Sequence, residues 1–376
     1  MKPQQPTRPS SRPRRAKGSF WNAAPQLAAY GAVATLSDEV KRLGCSRPLL
    51  LSTPAQASSA ESLLPHLGEM CVGIFPDATM HTPVNVTARA VQLYEESKAD
   101  CVVAFGGGST TGLAKAIAWR NDAKQIIVPT TYAGSEVTPI LGQTENGRKE
   151  TIRNPKILPE IVVYDPTFTL GLPVVMSVNS GLNAIAHAVE ALYARDKNPV
   201  SSLMAVEGVR AFKEALPKIA VRPNDRSARS NALYGSWFCG TVLGAVGMSL
   251  HHKLCHTLGG LFDLPHAETH AILIPHTAAY NAVAAENELR PLIELFGGCL
   301  GGGLYDFAKS FDISMALQDL GLAEKDLDKA AQVATQNPYW NPREIDLKSI
   351  RNLLQNAWAG SRPDTDLPRG GLTAIS

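Results

Sequence analysis

The stretch HHKLCHTLGGLFDLPHAETH, residues 251–270, holds five of the nine histidines in this chain of 376 residues. An imidazole changes charge near neutral pH, so it can pass protons, bind anions when charged and ligate metals when neutral. The spacing adds direction. His252 and His256 lie four apart, His266 and His270 lie four apart, and Asn183 and His187 repeat the interval in GLNAIAHAVEALYA. Residues four apart on a helix share a face, so three helices would each direct a pair of polar side chains at one place. His187, His252, His256 and His266 are therefore read as one group that handles protons and binds anions. His251 is expected on the exposed flank, and His66 and His276 in packing roles. A metal centre is compatible with this segment but not demanded by it. Lewis-acid sites built on histidine usually recruit a carboxylate, and the position four before His187 offers only the neutral amide of Asn183.

A second chemical signal is FGGGSTTGLAKAIA, residues 105–118. Three glycines directly after an apolar run let backbone approach a ligand, and the amides opening the following helix offer donors to a phosphate. Gly106, Gly107, Gly108, Ser109 and Thr110 are the candidate contacts to a dinucleotide pyrophosphate. PTTYAGSEVTP, residues 129–139, follows the next apolar run and adds the hydroxyls of Thr130, Thr131 and Ser135.

These loops need strands to carry them. RPLLLST, CVGIFP, CVVAFGG, QIIVPTT and IVVYDP are short apolar runs with turn residues at their carboxyl ends, the pattern of buried parallel strands. Between them, segments such as AESLLPHLGEM and NVTARAVQLYEESKA repeat apolar residues at helical spacing. That alternation predicts βαβ units, and ligands of such sheets bind beyond the carboxyl ends of the strands. After Pro166 the readable segments are all helical. The expected organisation is a basic, disordered tail over residues 1–19, an α/β dinucleotide-binding domain over 20–166 and an all-α catalytic domain over 167–376.

Composition narrows the function class. Apolar residues make up 44% and charged residues 19% of the chain, as in ordinary globular proteins, and no stretch approaches a membrane span. The net charge is +2, and the first seventeen residues hold six basic and no acidic side chains. Subtracting six leaves the remainder at −4, so the basic excess belongs to the tail. No basic surface interleaved with aromatics argues for nucleic acid. The six cysteines form no CxxC pair, which fits reduced thiols in a cytoplasmic protein.

Taken together, GGGSTTGLAKA, PTTYAGSEVTPI, NPKILPEIVVYDPTFTLGLP, GLNAIAHAVEALYA and HHKLCHTLGGLFDLPHAETHAILIPH resemble the iron-containing (group III) alcohol dehydrogenase superfamily, over residues 30 to 360. The resemblance implies a dehydroquinate synthase-like fold: a parallel-sheet dinucleotide-binding domain followed by an all-α domain. It also implies NADH or NADPH as cofactor and a homodimer. Metal-dependent members carry an Asp at the position of Asn183, histidines at those of His187, His252 and His266, and an Asp at that of Gly112. This chain instead resembles a branch that is generally regarded as not requiring metal. That branch reduces the carbon–carbon double bond of an unsaturated oxo-dicarboxylate during the breakdown of aromatic compounds. No required metal is expected; a bound one would take His187, His252 and His266.

Hydride addition to an alkene conjugated with a ketone pushes electron density onto the ketone oxygen. Protonated imidazoles would absorb that charge and return a proton. On this reading His252 and His256 sit nearest the enolate oxygen, and His187 and His266 bind anions or relay protons. Lys253 helps attract a dianion that an Asp at 183 would repel. The rival readings are a metal-dependent alcohol or glycerol dehydrogenase and a catalytically silent nucleotide-binding homologue. One departure from the superfamily is the opening, where FWNAAPQLAAYGAVATL has Gly31 but Val33 in place of a second glycine, so the first strand is not legible.

Overall fold

The computed structural model describes residues 26–28, 31–145 and 148–363. The tail expected over residues 1–19 lies outside them. The amino-terminal half contributes β1 (Gln26–Ala28), α1 (Leu36–Arg42), β2 (Pro48–Leu51), α2 (Ala57–Glu61), α3 (Leu64–Leu67), β3 (Gly73–Phe75) and α4 (Val84–Glu96). It continues with β4 (Cys101–Gly106), α5 (Gly108–Asn121), β5 (Lys124–Pro129), β6 (Ile140–Glu145), β7 (Arg148–Arg153) and β8 (Ile161–Tyr164). Six strands pair in the order β1-β8-β5-β4-β2-β3, every pair parallel.

The five strands read from sequence are all in this sheet. Side chains alternate across it: Val103, Phe105, Ile126 and Val128 enter a core with α1 and α3, whereas Val102, Ala104, Ile127 and Val162 enter the core shared with the helical half. Strands buried on both faces read as continuous apolar runs for this reason.

Two features depart from the sequence reading. The first strand is present: Gln26, Leu27 and Ala28 pair with Val162, Val163 and Tyr164. The lost second glycine costs nothing, because Gly31 takes the left-handed turn at φ 75° and the Val33 amide donates to Asp165 Oδ2 at 3.2 Å. The antiparallel hairpin of β6 and β7 was not anticipated, since its half-polar residues carry no apolar run.

Beyond the sheet come α6 (Val174–Tyr193), α7 (Pro199–Val221), α8 (Arg226–Ala245), α9 (Leu250–Phe262), α10 (His266–Ala282), α11 (Glu286–Leu295), α12 (Leu300–Lys309), α13 (Leu327–Thr335) and α14 (Leu347–Ala359). The described residues after Tyr164 contain no strand. Among the described residues, no single helix is long and apolar enough to cross a membrane.

The two halves meet along the loop after β5. A Cβ on Gly240 of α8 would fall 2.3 Å from the Gly134 carbonyl oxygen, so only glycine lets this helix reach that loop. Arg229, fully buried, locks the same seam. Its guanidinium donates to Tyr132 OH at 3.0 Å, Ser177 Oγ at 2.7 Å, and the carbonyls of Leu172 and Pro223. The loop is thereby held rigid between the sheet and the helices.

Candidate active site

At the carboxyl end of β4 the chain turns on glycine. Gly106 has φ +149°, and a Cβ there would stand 2.5 Å from Thr110 Oγ1. A Cβ on Gly107 would stand 2.9 Å from Thr131 Cγ2, which ties the glycine turn to the loop after β5, while at Gly108 it would meet nothing within 4 Å. The fourteen-residue α5 starts here with no side-chain cap, so its first amides remain available to an anion. Gly107, Ser109 and Thr131 are half-buried and Gly108 is exposed, which leaves them reachable by a ligand, whereas the Oγ of Ser135 is enclosed, contrary to its reading as a contact. Thr110 and Thr130 are buried and act inward: Thr110 Oγ1 donates to the Gly107 carbonyl at 3.0 Å, and Thr130 Oγ1 accepts from Gln56 Nε2 at 2.9 Å. They shape the turn. Lys115, one turn further along α5, is also buried, and its Nζ donates to Ser135 O, Thr138 Oγ1 and Ile140 O. Burial pulls its pKa down to about 7.

On the other side of the Tyr132–Ser135 loop lies a layer of imidazoles. His187 hydrogen-bonds the backbone of Ala133, and its Nδ1 lies 3.0 Å from His252 Nε2. His252 Nδ1 in turn lies 2.6 Å from Glu190 Oε2. A carboxylate only accepts, so the hydrogen between them sits on His252. His256 is one turn along α9, with ring centroids 6.0 Å apart, and its Nδ1 meets Tyr339 OH at 3.2 Å. His266 joins through His270, whose ring is 4.3 Å from it and 5.1 Å from His252. The four histidines named from sequence therefore occupy one contiguous cluster. Lys253 lies on its rim, half-buried, with Nζ 5.7 Å from the centre of the Tyr339 ring.

The structure corrects the reading at three points. His251 is fully buried, not exposed: its Nε2 meets His270 Nδ1 at 2.9 Å and its Nδ1 meets Thr277 Oγ1 at 3.0 Å. Next, not all the rings are cations. Burial, then the positive character of neighbouring rings, drives the pKa of His187 well below the usual range, and the same causes act on His251 and His270. His187 thus serves as a neutral hydrogen-bond partner and attracts no anion by its charge. The third is an omission, Glu190. It is fully buried and accepts from His252 Nδ1 and from the amides of Ser249 and His251 at 2.8 and 2.7 Å. Its place three residues after His187 in an apolar helix was the available signal, because a carboxylate is rarely buried there without a partner. Of the rings in the layer, His252 is the one that Glu190 directly hydrogen-bonds.

The donor set at Asn183, His187, His252 and His266 lacks the carboxylate that Lewis-acid sites built on histidine usually recruit. His187 and His252 face each other in a direct hydrogen bond, and Glu190 is committed to His252 and two backbone amides. His266 adds a third imidazole to the same layer through His270, and Asn183 brings an uncharged amide whose buried Oδ1 has no hydrogen-bond partner. Among the described residues, the imidazoles named for a metal bring no carboxylate of their own to offset an ion's charge, while Cys255, His251 and His270 form a separate buried group of donor atoms in the same layer.

The iron-containing alcohol dehydrogenase family matches residues 26–166, and the carboxyl-terminal part of the Fe-containing alcohol dehydrogenase family matches residues 177–358. The maleylacetate reductase of Rhizobium sp. (strain MTP-10005) is 60% identical over 346 residues, 92% of this chain and 99% of that protein. The maleylacetate reductase of Burkholderia cepacia is 50% identical, over 89% and 95% of the two chains. A crystal structure of maleylacetate reductase from Agrobacterium tumefaciens superposes with a TM-score of 0.88 at 60% identity, covering 91% of this chain and 98% of that one. The chain belongs to the iron-containing alcohol dehydrogenase family.

Proposed function

We propose that this chain is a maleylacetate reductase, which reduces the conjugated double bond of maleylacetate with NADH or NADPH to give 3-oxoadipate. The observation that carries the proposal is the buried line Glu190–His252–His187 against the loop that follows β5. The relatives named above are the second support.

When bound, the reduced nicotinamide supplies the hydride. Gly107, Gly108, Ser109 and the first amides of α5 would hold its pyrophosphate, with Thr131 beside them, and Gly106, Thr110 and Thr130 shaping the turn. As the carbon β to the ketone accepts hydride, charge develops on the ketone oxygen. His252 and His256 would stabilise that charge, His252 by turning its Nε2 hydrogen from His187 to the oxygen while Glu190 holds Nδ1 and fixes the ring's orientation. His187, neutral, shares a hydrogen with His252 Nε2 and conducts a proton without adding repulsion. His266 continues the layer towards His270. The carbon α to the ketone then takes a proton from this layer, which completes the reduction. Lys253 draws the dianion in, and Asn183 leaves the site free of a repelling carboxylate.

The reading includes no required metal, a homodimer and a cytoplasmic setting, the last in keeping with six unpaired cysteines. The test follows the absorbance of reduced nicotinamide on addition of maleylacetate, before and after exhaustive chelation. The expected result is substrate-dependent oxidation that chelation leaves nearly intact. Turnover that vanishes with chelator and returns with iron or zinc overturns the metal-free mechanism, and nucleotide binding without oxidation overturns the enzyme reading.

A further inference from the structure

The rim of the histidine layer carries a group that the mechanism above does not use. Between α13 and α14 the chain crosses the amino-terminal end of α9, and this crossing is anchored on every side. Asn341 Nδ2 donates to Asn281 Oδ1 at 2.7 Å and to the Arg343 carbonyl at 2.7 Å, and its Oδ1 accepts from Asn281 Nδ2 at 2.9 Å. Arg343 stacks over the Tyr280 ring, 4.0 Å from its centre, and donates to the Tyr280 carbonyl at 3.1 Å. Tyr280 OH donates back to the carbonyl of Glu344. A segment held this firmly places its side chains as a helix would. Tyr339 stands just before these anchors. Its hydroxyl is 3.2 Å from His256 Nδ1 and its ring is 5.7 Å from Lys253 Nζ, yet it stays 37% exposed. Burial and the charge of Glu190 both raise its pKa, so the hydroxyl remains a donor at neutral pH.

We propose that Tyr339, with Lys253, forms the subsite for the substrate carboxylate on the far side of the ketone, and that Tyr339 selects dicarboxylates over monocarboxylates. The inference rests on the maleylacetate reading. The alkene end of the substrate must face the nicotinamide, on the side of the glycine turn. With the ketone oxygen at His252 and His256, the remaining carboxylate, one methylene beyond the ketone, points away from the cofactor and towards the rim. There it meets the ammonium of Lys253 on α9 and the phenol hydroxyl that Tyr339 brings from the segment between α13 and α14. The ammonium supplies charge without direction, while the phenol fixes one carboxylate oxygen through a directed hydrogen bond.

The experiment compares the wild-type chain with Tyr339→Phe on two substrates. One is maleylacetate; the other is cis-acetylacrylate, which keeps the conjugated ketone but lacks the second carboxylate. Losing one hydrogen bond to a charged group is expected to raise KM for maleylacetate about tenfold with kcat nearly unchanged, and to leave both constants for acetylacrylate within about twofold. The preference for the dicarboxylate then falls by the same factor. An equal loss on both substrates overturns the subsite and places Tyr339 behind His256 in the chemistry; an unchanged KM for maleylacetate also overturns it. If the wild-type chain fails to turn over maleylacetate, the function reading itself falls, and the subsite with it.

Discussion

The two walls that meet at the Tyr132–Ser135 loop handle negative charge in opposite ways. The glycine wall uses backbone: three glycines, the open amides of α5 and a few hydroxyls, none of which titrates near neutrality. The histidine wall uses side chains that do titrate, and it spends much of its structure controlling which ring carries charge. His187, His251 and His270 are kept neutral by burial, while Glu190 stands against His252 alone. The contrast matches two tasks. A pyrophosphate keeps its charge throughout a reaction, so fixed dipoles suffice to bind it. An enolate exists only in passing, so its partner must take up charge and give back a proton.

If the histidine wall carries the chemistry, removing the ring that Glu190 holds must cost far more than disturbing the glycine wall. His252→Ala is expected to lower kcat/KM about a hundredfold or more, on the order of 2.7 kcal/mol, with thermal unfolding measured alongside to confirm the fold. A loss under about tenfold would break the contrast.

Buried titratable groups in the two halves also separate by pH, in denaturant unfolding followed across a pH series. His276, buried in α10 with Nε2 unpartnered, has its pKa pushed down to about 4 by desolvation. A folded pKa below the unfolded one means that the unfolded chain binds more protons between about pH 6.5 and 4, so stability is lost as pH falls through that window. Replacing His276 by Gln should remove about 2 kcal/mol of the loss between pH 7 and 5; His187, His251 and His270 contribute in the same direction. Behind the glycine wall, buried in the body of α5, Lys115 at about 7 has the same sign in a higher window. The unfolded lysine holds its proton up to about pH 10.4, so stability rises from pH 7 towards 10. Lys115→Met should flatten that rise, by about 2 kcal/mol between pH 7 and 9. A rise that persists in Lys115→Met would show that the buried amine is not its source.

Smallest is the expected effect of Gly107→Ala. Its Cβ would meet a Thr131 methyl at 2.9 Å, a contact that side-chain rotation partly relieves, so the cost is about 1 kcal/mol. It should appear as a several-fold rise in KM for reduced nicotinamide, with kcat unchanged. A fall in kcat instead would mean that the glycine turn takes part in more than binding.

Legibility followed the range of the interactions involved. Five strands and the GGGS turn could be read because their burial and their glycines lie within a few residues. Gln26–Ala28 could not, since three residues become a strand only through the hydrogen bonds of β8, more than a hundred positions away. The histidine pairs at 187, 252, 256 and 266 were legible from helical spacing. The burial of His251 was not, because its ring is enclosed by His270 and Thr277 of another helix. Glu190 was open to notice beside His187, but its role depends on the amides of Ser249 and His251 and on His252, all brought by α9.

From its own order of residues, this protein has a parallel sheet, a glycine turn that opens a helix, and helices whose faces carry histidines, because backbone freedom and side-chain periodicity act over one or two turns. Which imidazole can hold a proton beside the nascent enolate is decided only when α6, α9 and α10 pack. Charge in a low-dielectric interior depends on ångström-scale distances to a carboxylate and to other rings, and those distances do not exist until the helices meet.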